Sequence, residues 1–554
     1  MIIVRNKIDL NTNHTAVLES KREECNELQS LSKNVQLFFD VSAKTNKDIT
    51  NLFFSVQKII SYPIAPLYDS VDKELTAPYR RILVRLFRVF DKDRDDALSD
   101  KELNDFQYTC YGSRLDPIML KAVKSSLRTR DTDCLTGDQN DYITCRGFME
   151  LHKLLISKNK PETAWINLKT FDYNNELVYE PILSPNSSFT RENLQEITRK
   201  SERTIELSAA STKFLIALFK QYNKNPDKCL SPTEIASLFE PLPDRLPPWT
   251  HVNEDVQLFF SPSFPQNTLS NDIGCVTLPG YLSMWSLYMH ICPYECIYSI
   301  MQLGFGETFE DVAILTNTHA EDSYRYNLYK RSVTHSFIIG QSKDDMLCFL
   351  NDFISKPSNN RGDNSNSSVS TFINSVEADE DLSTNKYIHS LMMTCFSPES
   401  MSLFTNQLYQ CDICCLMFDL TDPTSFQYIK DIIPTLPPTL KIMLIANNKT
   451  LSMENSKRSA LYKEAEEYCR SLEIKPPVIN HVKSPRKEKI FSIIYAMAHY
   501  PDVCIPYNEH KRTVSKYIKF GFFTSITLII TGVVTYFLKP DLFKDLFKGK
   551  KGKQ

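Results

Sequence analysis

The chain has 554 residues, enough for several domains, and 42% of them are hydrophobic, so sizeable cores can form. Its 64 basic and 67 acidic residues nearly balance, which gives no global attraction to nucleic acid. Fifteen cysteines without regular spacing and no N-terminal signal peptide favour a reducing compartment. We therefore expect a multidomain protein, part α/β and part all-α, without a nucleic-acid partner.

The chain begins with a short apolar strand that runs into Asn6-Lys7-Ile8-Asp9. In guanine-nucleotide folds an Asp at this position accepts hydrogen bonds from guanine N1 and the exocyclic amine, a pattern that adenine cannot offer. A second apolar strand, residues 37–41, leads into Ser42-Ala43-Lys44, whose backbone would meet guanine O6. The two motifs in this order at strand ends predict a guanine-base site formed by Asn6, Lys7, Asp9, Ser42, Ala43 and Lys44.

The sequence before these motifs contains no phosphate-binding loop of the form Gly-x4-Gly-Lys-Ser/Thr. We therefore expect residues 1–63 to be the C-terminal part of a GTPase domain, a partial Ras-like fold whose beginning is missing from this chain. GTP and Mg²⁺ are expected as cofactors only if the N-terminus is completed. No catalytic residue is assigned.

Residues 91–102 carry the ligand order of a calcium-binding EF-hand loop. Acidic residues occupy loop positions one, three and five, a hydrophobic residue position eight, and a Glu position twelve. The predicted Ca²⁺ ligands are Asp91, Asp93, Asp95, the Ala97 carbonyl and Glu102. Position six normally needs Gly for a sharp turn and is Asp96 here, so we expect a weakened affinity. The alternative is an acidic surface loop between two helices.

An internal repeat links this loop to a second one. Leu86 through Glu102 lines up with Leu218 through Glu234 at an offset of 132 residues, and Gly147 lines up with Gly280 at an offset of 133. EF-hands work in pairs, so we expect two pairs, 64–190 and 191–308, with 131–150 and 264–283 as partner hands that have lost their ligands. The second loop has Lys228 in place of Gly and only two acidic ligands, so its Ca²⁺ binding is left open; its candidate ligands are Asn223, Asn225, Asp227 and Glu234.

Residues 331–503 have the pattern of a second Ras-like α/β domain, because strand-like runs alternate with helical segments. After Gly340 there is no Gly-Lys-Ser, and the acidic pair Asp344–Asp345 has the wrong sign for phosphates. The segment 446–450 lacks the Asp of a guanine-base motif. We expect a domain that keeps the fold without a nucleotide. The polar, Asn/Ser-rich stretch at about 355–386 is predicted to be a disordered insertion.

Residues 520–538 form an uncharged run of 19 residues, ~28 Å long as a helix, which matches a bilayer core. Lysines flank the run on both sides, and Tyr517, Tyr536 and Phe537 stand where interfacial aromatics would. The alternative is a buried core helix, but core helices of this length normally show a polar face. We predict a single transmembrane tail anchor with the bulk of the chain in the cytosol, and the basic flanks favour the mitochondrial outer membrane.

Taken in order, these segments resemble the mitochondrial Rho GTPases, the Miro family. Besides the motifs above, the resemblance rests on Glu162-Thr163-Ala164-Trp165, Leu230-Ser231-Pro232, and Asp419 with Asp422-Pro423-Thr424-Ser425-Phe426. It implies an outer-membrane protein that couples mitochondria to microtubule motors through adaptor proteins, meets mitochondrial quality-control proteins, and is regulated by calcium and GTP. Because both phosphate loops are missing here, three functions stay open: a calcium-responsive adaptor, an active GTP hydrolase, and a calcium-independent tether.

Overall fold

The computed structural model describes residues 2–10, 37–137, 141–158, 160–184, 187–200, 203–224, 228–251, 275–317, 333–354, 369–376, 389–396, 411–437, 440–449, 459–481, 488–499 and 504–506. The chain divides into two compact units, essentially residues 1–333 and residues 334–554. Within the described ranges no helix is long and apolar enough to cross a membrane. The predicted span, 520–538, lies outside those ranges.

The first unit starts with two parallel strands, β1 (Ile2–Arg5) and β2 (Leu37–Asp40). Their carboxyl ends are joined by a bidentate ion pair, in which Arg5 donates to both carboxylate oxygens of Asp40 at 2.6 Å. Helix α1 (Ile49–Ser61) follows. The parallel pairing brings the two predicted base-recognition motifs to the same edge, because each motif directly follows one of the strands.

A first helical half follows a short hairpin of β3 (Tyr68–Asp69) and β4 (Glu74–Leu75). Its apolar α2 face, predicted from Ile82, Leu83, Leu86, Phe87 and Phe90, is buried. Aromatic edges fill the core, with Phe106 contacting both Phe90 and Phe148. The helices are α2 (Ala77–Phe90), α3 (Asp100–Tyr111), α4 (Pro117–Arg128), α5 (Cys145–Ser157) and α6 (Pro161–Thr170).

A second helical half repeats much of this arrangement around Phe239, Trp249 and Trp285. Its elements are α7 (Arg191–Lys200), β7 (Arg203–Leu207), α8 (Ala209–Tyr222), α9 (Pro232–Leu238), α10 (Leu278–Ile291), α11 (Pro293–Gln302) and β10 (Ala313–Asn317). Strand β10 pairs with β7 in antiparallel register. The predicted boundary at residue 308 is therefore too early, because β10 completes this half only at residue 317.

Two-residue strands join the loops within each half. Strand β5 (Ala97–Leu98) pairs antiparallel with β6 (Ile143–Thr144), and β8 (Cys229–Leu230) pairs antiparallel with β9 (Val276–Thr277). Each loop with candidate ligands is thus connected to the segment expected to be its partner hand. A paired hand fixes the backbone in the second half of the loop, where a ligand carbonyl and the position-twelve carboxylate belong.

The second unit is built on a six-stranded sheet in the order β12-β13-β11-β14-β15-β16. Strands β11, β14, β15 and β16 are parallel. Buried residues of α13 and α14 form a core with one sheet face, and those of α12 and α15 form a core with the other. The elements are β11 (Val333–Gly340), α12 (Lys343–Phe353), β12 (Val369–Val376), β13 (His389–Phe396), β14 (Ile413–Asp419), α13 (Pro423–Ile432), β15 (Ile442–Asn448), α14 (Ala460–Ser471), β16 (Val478–His481) and α15 (Glu488–His499).

Strand β12 contradicts the predicted disordered insertion at about 355–386. Phe372 and Ile373 are buried, and the Thr371 and Thr394 hydroxyls hydrogen bond at 3.0 Å. The stretch is rich in Ser and Asn, but within it β12 contains β-branched and aromatic residues, which favour strands. Pairing with β13 supplies the backbone hydrogen bonds that stabilise this strand. The remaining residues of the predicted insertion lie outside the described ranges.

Candidate functional site

The loop between α2 and α3 turns its last acidic residue back over its own start. Ser99 is the N-cap of α3, and Glu102 Oε2 accepts hydrogen bonds from Ser99 N at 3.0 Å and Ser99 Oγ at 2.7 Å. The other oxygen, Oε1, accepts from Lys92 N at 2.9 Å. This capping box fixes the position-twelve carboxylate against both ends of the loop, where a bidentate ligand is needed.

The three aspartates at positions one, three and five converge. One carboxylate oxygen each from Asp91, Asp93 and Asp95 lies within 4.8 Å of the others. Asp91 is fully buried, and its Oδ1 accepts from Asp95 N at 3.2 Å. Asp95 Oδ1 in turn accepts from Ala97 N at 2.9 Å. A set of carboxylates with a nearby backbone carbonyl fits a hard divalent cation such as Ca²⁺.

The electrostatics of the loop favour a cation. Burial raises the pKa of Asp91 to about 6; Arg94 lowers it, and the carboxylates of Asp95, Asp96 and Glu102 raise it further. Burial also raises the pKa of Asp95, with nearby carboxylates adding to the shift. Carboxylates bind metal in the ionised form, so a bound divalent cation would lower both pKa values and offset the repulsion among these groups.

Position six adopts the turn that usually needs glycine. Asp96 has φ 66°, and Arg94 at position four has φ 63°. A side chain in this left-handed region costs on the order of 1–2 kcal/mol, least for Asp and Asn. Asp96 Oδ1 accepts a hydrogen bond from Gln221 Nε2 at 2.7 Å, which holds the side chain in place. Asp96 therefore makes the sharp turn that the sequence left in question.

The second loop copies the hydrogen bonds of the first. Glu234 Oε1 accepts from Lys224 N at 3.0 Å, and Oε2 accepts from Ser231 N at 2.9 Å. Lys228 at position six has φ 58°. Two of its candidate ligands, Asn225 and Asp227, lie outside the described ranges. The described part of this loop has the scaffold of a calcium site, and its ligand set stays a prediction.

The partner hands have glycine where the ligand loops have their final Glu. Gly147 N donates to the N-cap Thr144 Oγ at 3.1 Å, and Gly280 N donates to Thr277 Oγ1 at 3.2 Å, the same cap geometry without a carboxylate. A Cβ on Gly147 would lie 2.1 Å from the Cys134 carbonyl oxygen. Close backbone packing, and not only lost acidity, excludes a side-chain ligand at this position.

The two base-recognition motifs meet at the ends of β1 and β2. Asn6 Oδ1 accepts from Lys7 N at 2.7 Å and from Ala43 N at 3.2 Å. Asp9 Oδ1 accepts from Ser42 Oγ at 2.6 Å, and this hydrogen bond lowers the pKa of Asp9, helped by the charge of Lys44. All six residues predicted for this site are therefore neighbours. A carboxylate held ionised can accept two N–H groups from a base edge.

The second unit has a cleft at the carboxyl ends of β11, β14 and β15, where ligands bind in open α/β sheets. It is lined by Gln341, Ser342, Asp345, Asp419, Asn447 and Lys449. Lys449 Nζ lies 2.8 Å from Asp345 Oδ2 and 3.0 Å from Asp419 Oδ2. Burial raises the pKa of Asp419, but hydrogen bonds from Thr421 and Lys449 outweigh it and lower the pKa overall. An internal cation thus neutralises carboxylates where a phosphate group would need positive charge.

Known proteins similar to this chain cover most of its length. It is 27% identical over 543 residues to Mitochondrial Rho GTPase 1 of Caenorhabditis elegans. This alignment covers 94% of this chain and 79% of the relative. The chain is 28% identical over 519 residues to Mitochondrial Rho GTPase 1 of Emericella nidulans, with 92% and 77% covered. Mitochondrial Rho GTPase 2 of Arabidopsis thaliana is 26% identical over 490 residues, with 87% and 71% covered. The family model "EF hand associated" matches residues 113–209.

The chain resembles the mitochondrial Rho GTPases over most of its length. The resemblance drawn from its motifs is confirmed by these relatives, and the EF-hand-associated match runs from just after α3 to the first residue of α8. Its overall class, a mixed α/β multidomain protein with an EF-hand-associated region, is confirmed as well.

Two residues of the candidate sites were missed by sequence reasoning. Gln221 reaches the first loop from a helix 125 residues away in sequence, and nothing in the loop pattern indicates it. Lys449 could have been suspected, because it occupies the place of the lysine in the base motif. Its ion pair with Asp345 across 104 residues needed the tertiary structure.

Proposed function

We propose that this chain is a calcium-regulated, tail-anchored adaptor of the mitochondrial outer membrane that supports mitochondrial transport and organisation along the cytoskeleton. Ca²⁺ binds the loop of residues 91–102 through Asp91, Asp93, Asp95, the Ala97 carbonyl and Glu102. The observation that carries this proposal is the convergence of the three aspartates within 4.8 Å, next to a Glu102 carboxylate fixed by its capping box. The proposed partners are motor-adaptor and mitochondrial quality-control proteins.

Calorimetry tests the calcium site. We expect the full chain in detergent micelles to bind Ca²⁺, and Glu102→Gln to weaken binding by more than about 100-fold, since even outer-sphere substitutions cost 10–100-fold. Glu234→Gln, at the equivalent position of the second loop, is the matched control and should leave the binding at residues 91–102 unchanged. Heat of binding unaffected by Glu102→Gln would refute a calcium role for this loop and favour the calcium-independent tether.

The second unit is proposed to be a nucleotide-free Ras-like domain. Its strand order, with β11 central and β14 to β16 following outward, supports the fold, and the Lys449 ion pairs with Asp345 and Asp419 argue against phosphate binding. The test is to denature the purified chain and to look for released guanine nucleotide by chromatography. Bound nucleotide whose amount changes in the Lys449→Met variant would contradict the proposal that this domain is nucleotide-free.

A GTP hydrolase is the second candidate, favoured by the arrangement of Asn6, Asp9, Ser42 and Ala43 at the ends of β1 and β2. It requires phosphate-binding residues that would have to be supplied N-terminal to residue 1. GTP turnover by a chain extended at its N-terminus, lost on Asp9→Asn, would support this candidate. Turnover that is insensitive to Asp9→Asn would exclude the base site described here.

The membrane anchor is proposed from residues 520–538 and the basic residues on both sides. A fluorescent protein fused to residues 505–554 should collect on mitochondria in cells. Replacing Lys548, Lys550, Lys551 and Lys553 by serine should redirect it to other membranes, because basic flanks carry the preference. Diffuse fluorescence of the unsubstituted fusion would refute the anchor.

A further inference from the structure

The loop of residues 91–102 is contacted by the second helical half. Gln221, the last residue but one of α8, points its amide at the loop. Its Nε2 donates to Asp96 Oδ1 at 2.7 Å and lies 3.4 Å from Asp91 Oδ2. One amide therefore holds both the carboxylate at position one and the residue that makes the position-six turn.

The contact is anchored at further points. The Arg94 guanidinium of the loop lies over the Phe214 ring of α8, 4.9 Å from its centroid. One turn before Asp91, Arg88 donates to the carbonyls of Leu238 at 2.8 Å and Ser237 at 3.0 Å, at the end of α9. The guanidinium of Arg88 is buried. Helices α8 and α9 are thereby fixed against α2, and Gln221 is presented to the loop in one orientation.

The sequence does not allow the same contact in the opposite direction. The offset of 132 residues makes Val89 the counterpart of Gln221 in the first repeat. Valine has no side-chain donor, so the first half cannot make the matching hydrogen bond to the second loop. The second loop also has Lys228 where the first has Asp96, so its position six offers no acceptor. The duplication has thus become asymmetric, with the second half supporting the first loop.

We infer that Gln221 is a positioning residue for the calcium site at residues 91–102, so that the calcium affinity of the first loop depends on the second helical half. The inference rests on the proposed function of that loop. A ligand carboxylate that is hydrogen bonded on its outer oxygen is held in its binding orientation, and loss of such a partner typically costs 10–100-fold in metal affinity. Gln221 Oε1 is buried and accepts no hydrogen bond within the described part of the chain. The amide is therefore held in place by the contacts of its Nε2 with Asp96 and Asp91.

The coupling is reciprocal. If Gln221 favours calcium binding through Asp91, bound calcium favours the Gln221 contact by the same factor. Calcium at the first loop would then stabilise the packing of α8, 130 residues further along the chain than Asp91. The second helical half would report the occupancy of the first loop even if its own loop binds no metal.

Calcium titration of the full chain in detergent micelles tests the inference. Gln221→Leu keeps the volume and removes the amide, and we expect Ca²⁺ affinity to fall by about 10-fold or more. Lys220→Gln, an exposed neighbour on the same helix, is the matched control and should keep wild-type affinity. Circular dichroism and the melting temperature without calcium should match wild type, which separates positioning from unfolding. Wild-type affinity in a folded Gln221→Leu chain would overturn the inference.

Hydrogen exchange supplies a second measurement, and its wild-type part does not require a folded variant. Adding Ca²⁺ in place of a chelator should slow amide exchange across residues 209–222 of the wild-type chain, and Gln221→Leu should abolish this effect. Unchanged exchange in the wild type, with calcium bound at residues 91–102, would refute the coupling alone. Absence of calcium binding to the wild type would instead refute the proposed function, and the inference with it.

Discussion

Lys449 Nζ bridges the carboxylates of Asp419 and Asp345, at 3.0 Å and 2.8 Å, across the carboxyl ends of three parallel strands. The helix after β11 begins at this cleft, and its N-cap Ser342 accepts from Asp345 N at 3.3 Å. Helix N-termini and lysines in such clefts normally serve anions. Here the helix N-terminus is capped by a serine and faces a carboxylate, and the lysine is neutralised within the chain.

Substituting Lys449 should destabilise the second unit. Lys449→Met leaves Asp345 and Asp419, both largely buried side chains, without their cation. The lysine itself is partly exposed, so water offsets some of the loss, and we expect a fall of about 1–2 kcal/mol in the free energy of unfolding. Urea denaturation measures it. Lys475→Met, at an exposed position between α14 and β16, should change stability by less than about 0.5 kcal/mol; equal effects would show that the bridge contributes nothing.

Gly147 should tolerate no side chain. In Gly147→Ala the added Cβ would lie 2.1 Å from the Cys134 carbonyl oxygen and 3.1 Å from a methyl of Ile143. Backbone must move in the partner hand, at a cost of about 2–3 kcal/mol. Gly112→Ala is the contrasting variant, because nothing lies within 4 Å of its Cβ and only its positive φ is penalised, by about 1 kcal/mol. Thermal unfolding should rank the two in this order, and the reverse ranking would contradict the close packing.

The stability of the first unit should fall in mild acid because of His152. This side chain is fully enclosed, and burial lowers its pKa to about 4. Its ring contacts the Phe148 carbonyl at 2.9 Å and Asn167 Nδ2 at 3.1 Å, an arrangement that suits the neutral imidazole with Nδ1 as donor and Nε2 as acceptor.

The unfolded chain binds a proton at His152 below about pH 6.5, whereas the folded chain does so only near pH 4. Stability is therefore unaffected above about pH 6.5 and decreases as the pH falls towards 4, by at most about 1.4 kcal/mol per pH unit. The difference in unfolding free energy between wild type and His152→Gln, followed from pH 7 to 4, isolates this contribution. Curves that stay parallel would show that the pKa of His152 is the same in the folded and unfolded chains, and would refute the lowered pKa.

Arg88 should be needed for the packing of the two helical halves. Besides the two carbonyls at the end of α9, it donates to the Tyr222 hydroxyl at 2.7 Å. Arg88→Met removes these donors and leaves the acceptors without them, for which we expect a loss of about 2–4 kcal/mol. Arg80→Met, on the exposed side of the same helix, is the control. Denaturant unfolding of both variants measures the effect, and a loss below 0.5 kcal/mol for Arg88→Met would refute it.

Features whose cause is local could be predicted from the sequence. The ligand order of residues 91–102, the apolar face of α2 and the strand–helix alternation of the second unit each depend on residues close together in the chain. The resemblance to the mitochondrial Rho GTPases followed from motifs of this kind. Strand β12 was missed because the edge strand depends on pairing with β13, while local composition indicated disorder.

By itself the sequence indicated which segments are candidates for chemistry: the acidic loop, its duplicate, and the base motifs at Asn6 and Ser42. Only the tertiary structure decided how these segments are supported. Gln221 at Asp91 and Asp96, Lys449 between Asp345 and Asp419, and Gly147 against Cys134 are contacts made by folding. Of these, the Gln221 contacts and the Lys449–Asp345 ion pair join residues more than 100 positions apart, a separation at which no local periodicity or spacing fixes a partner.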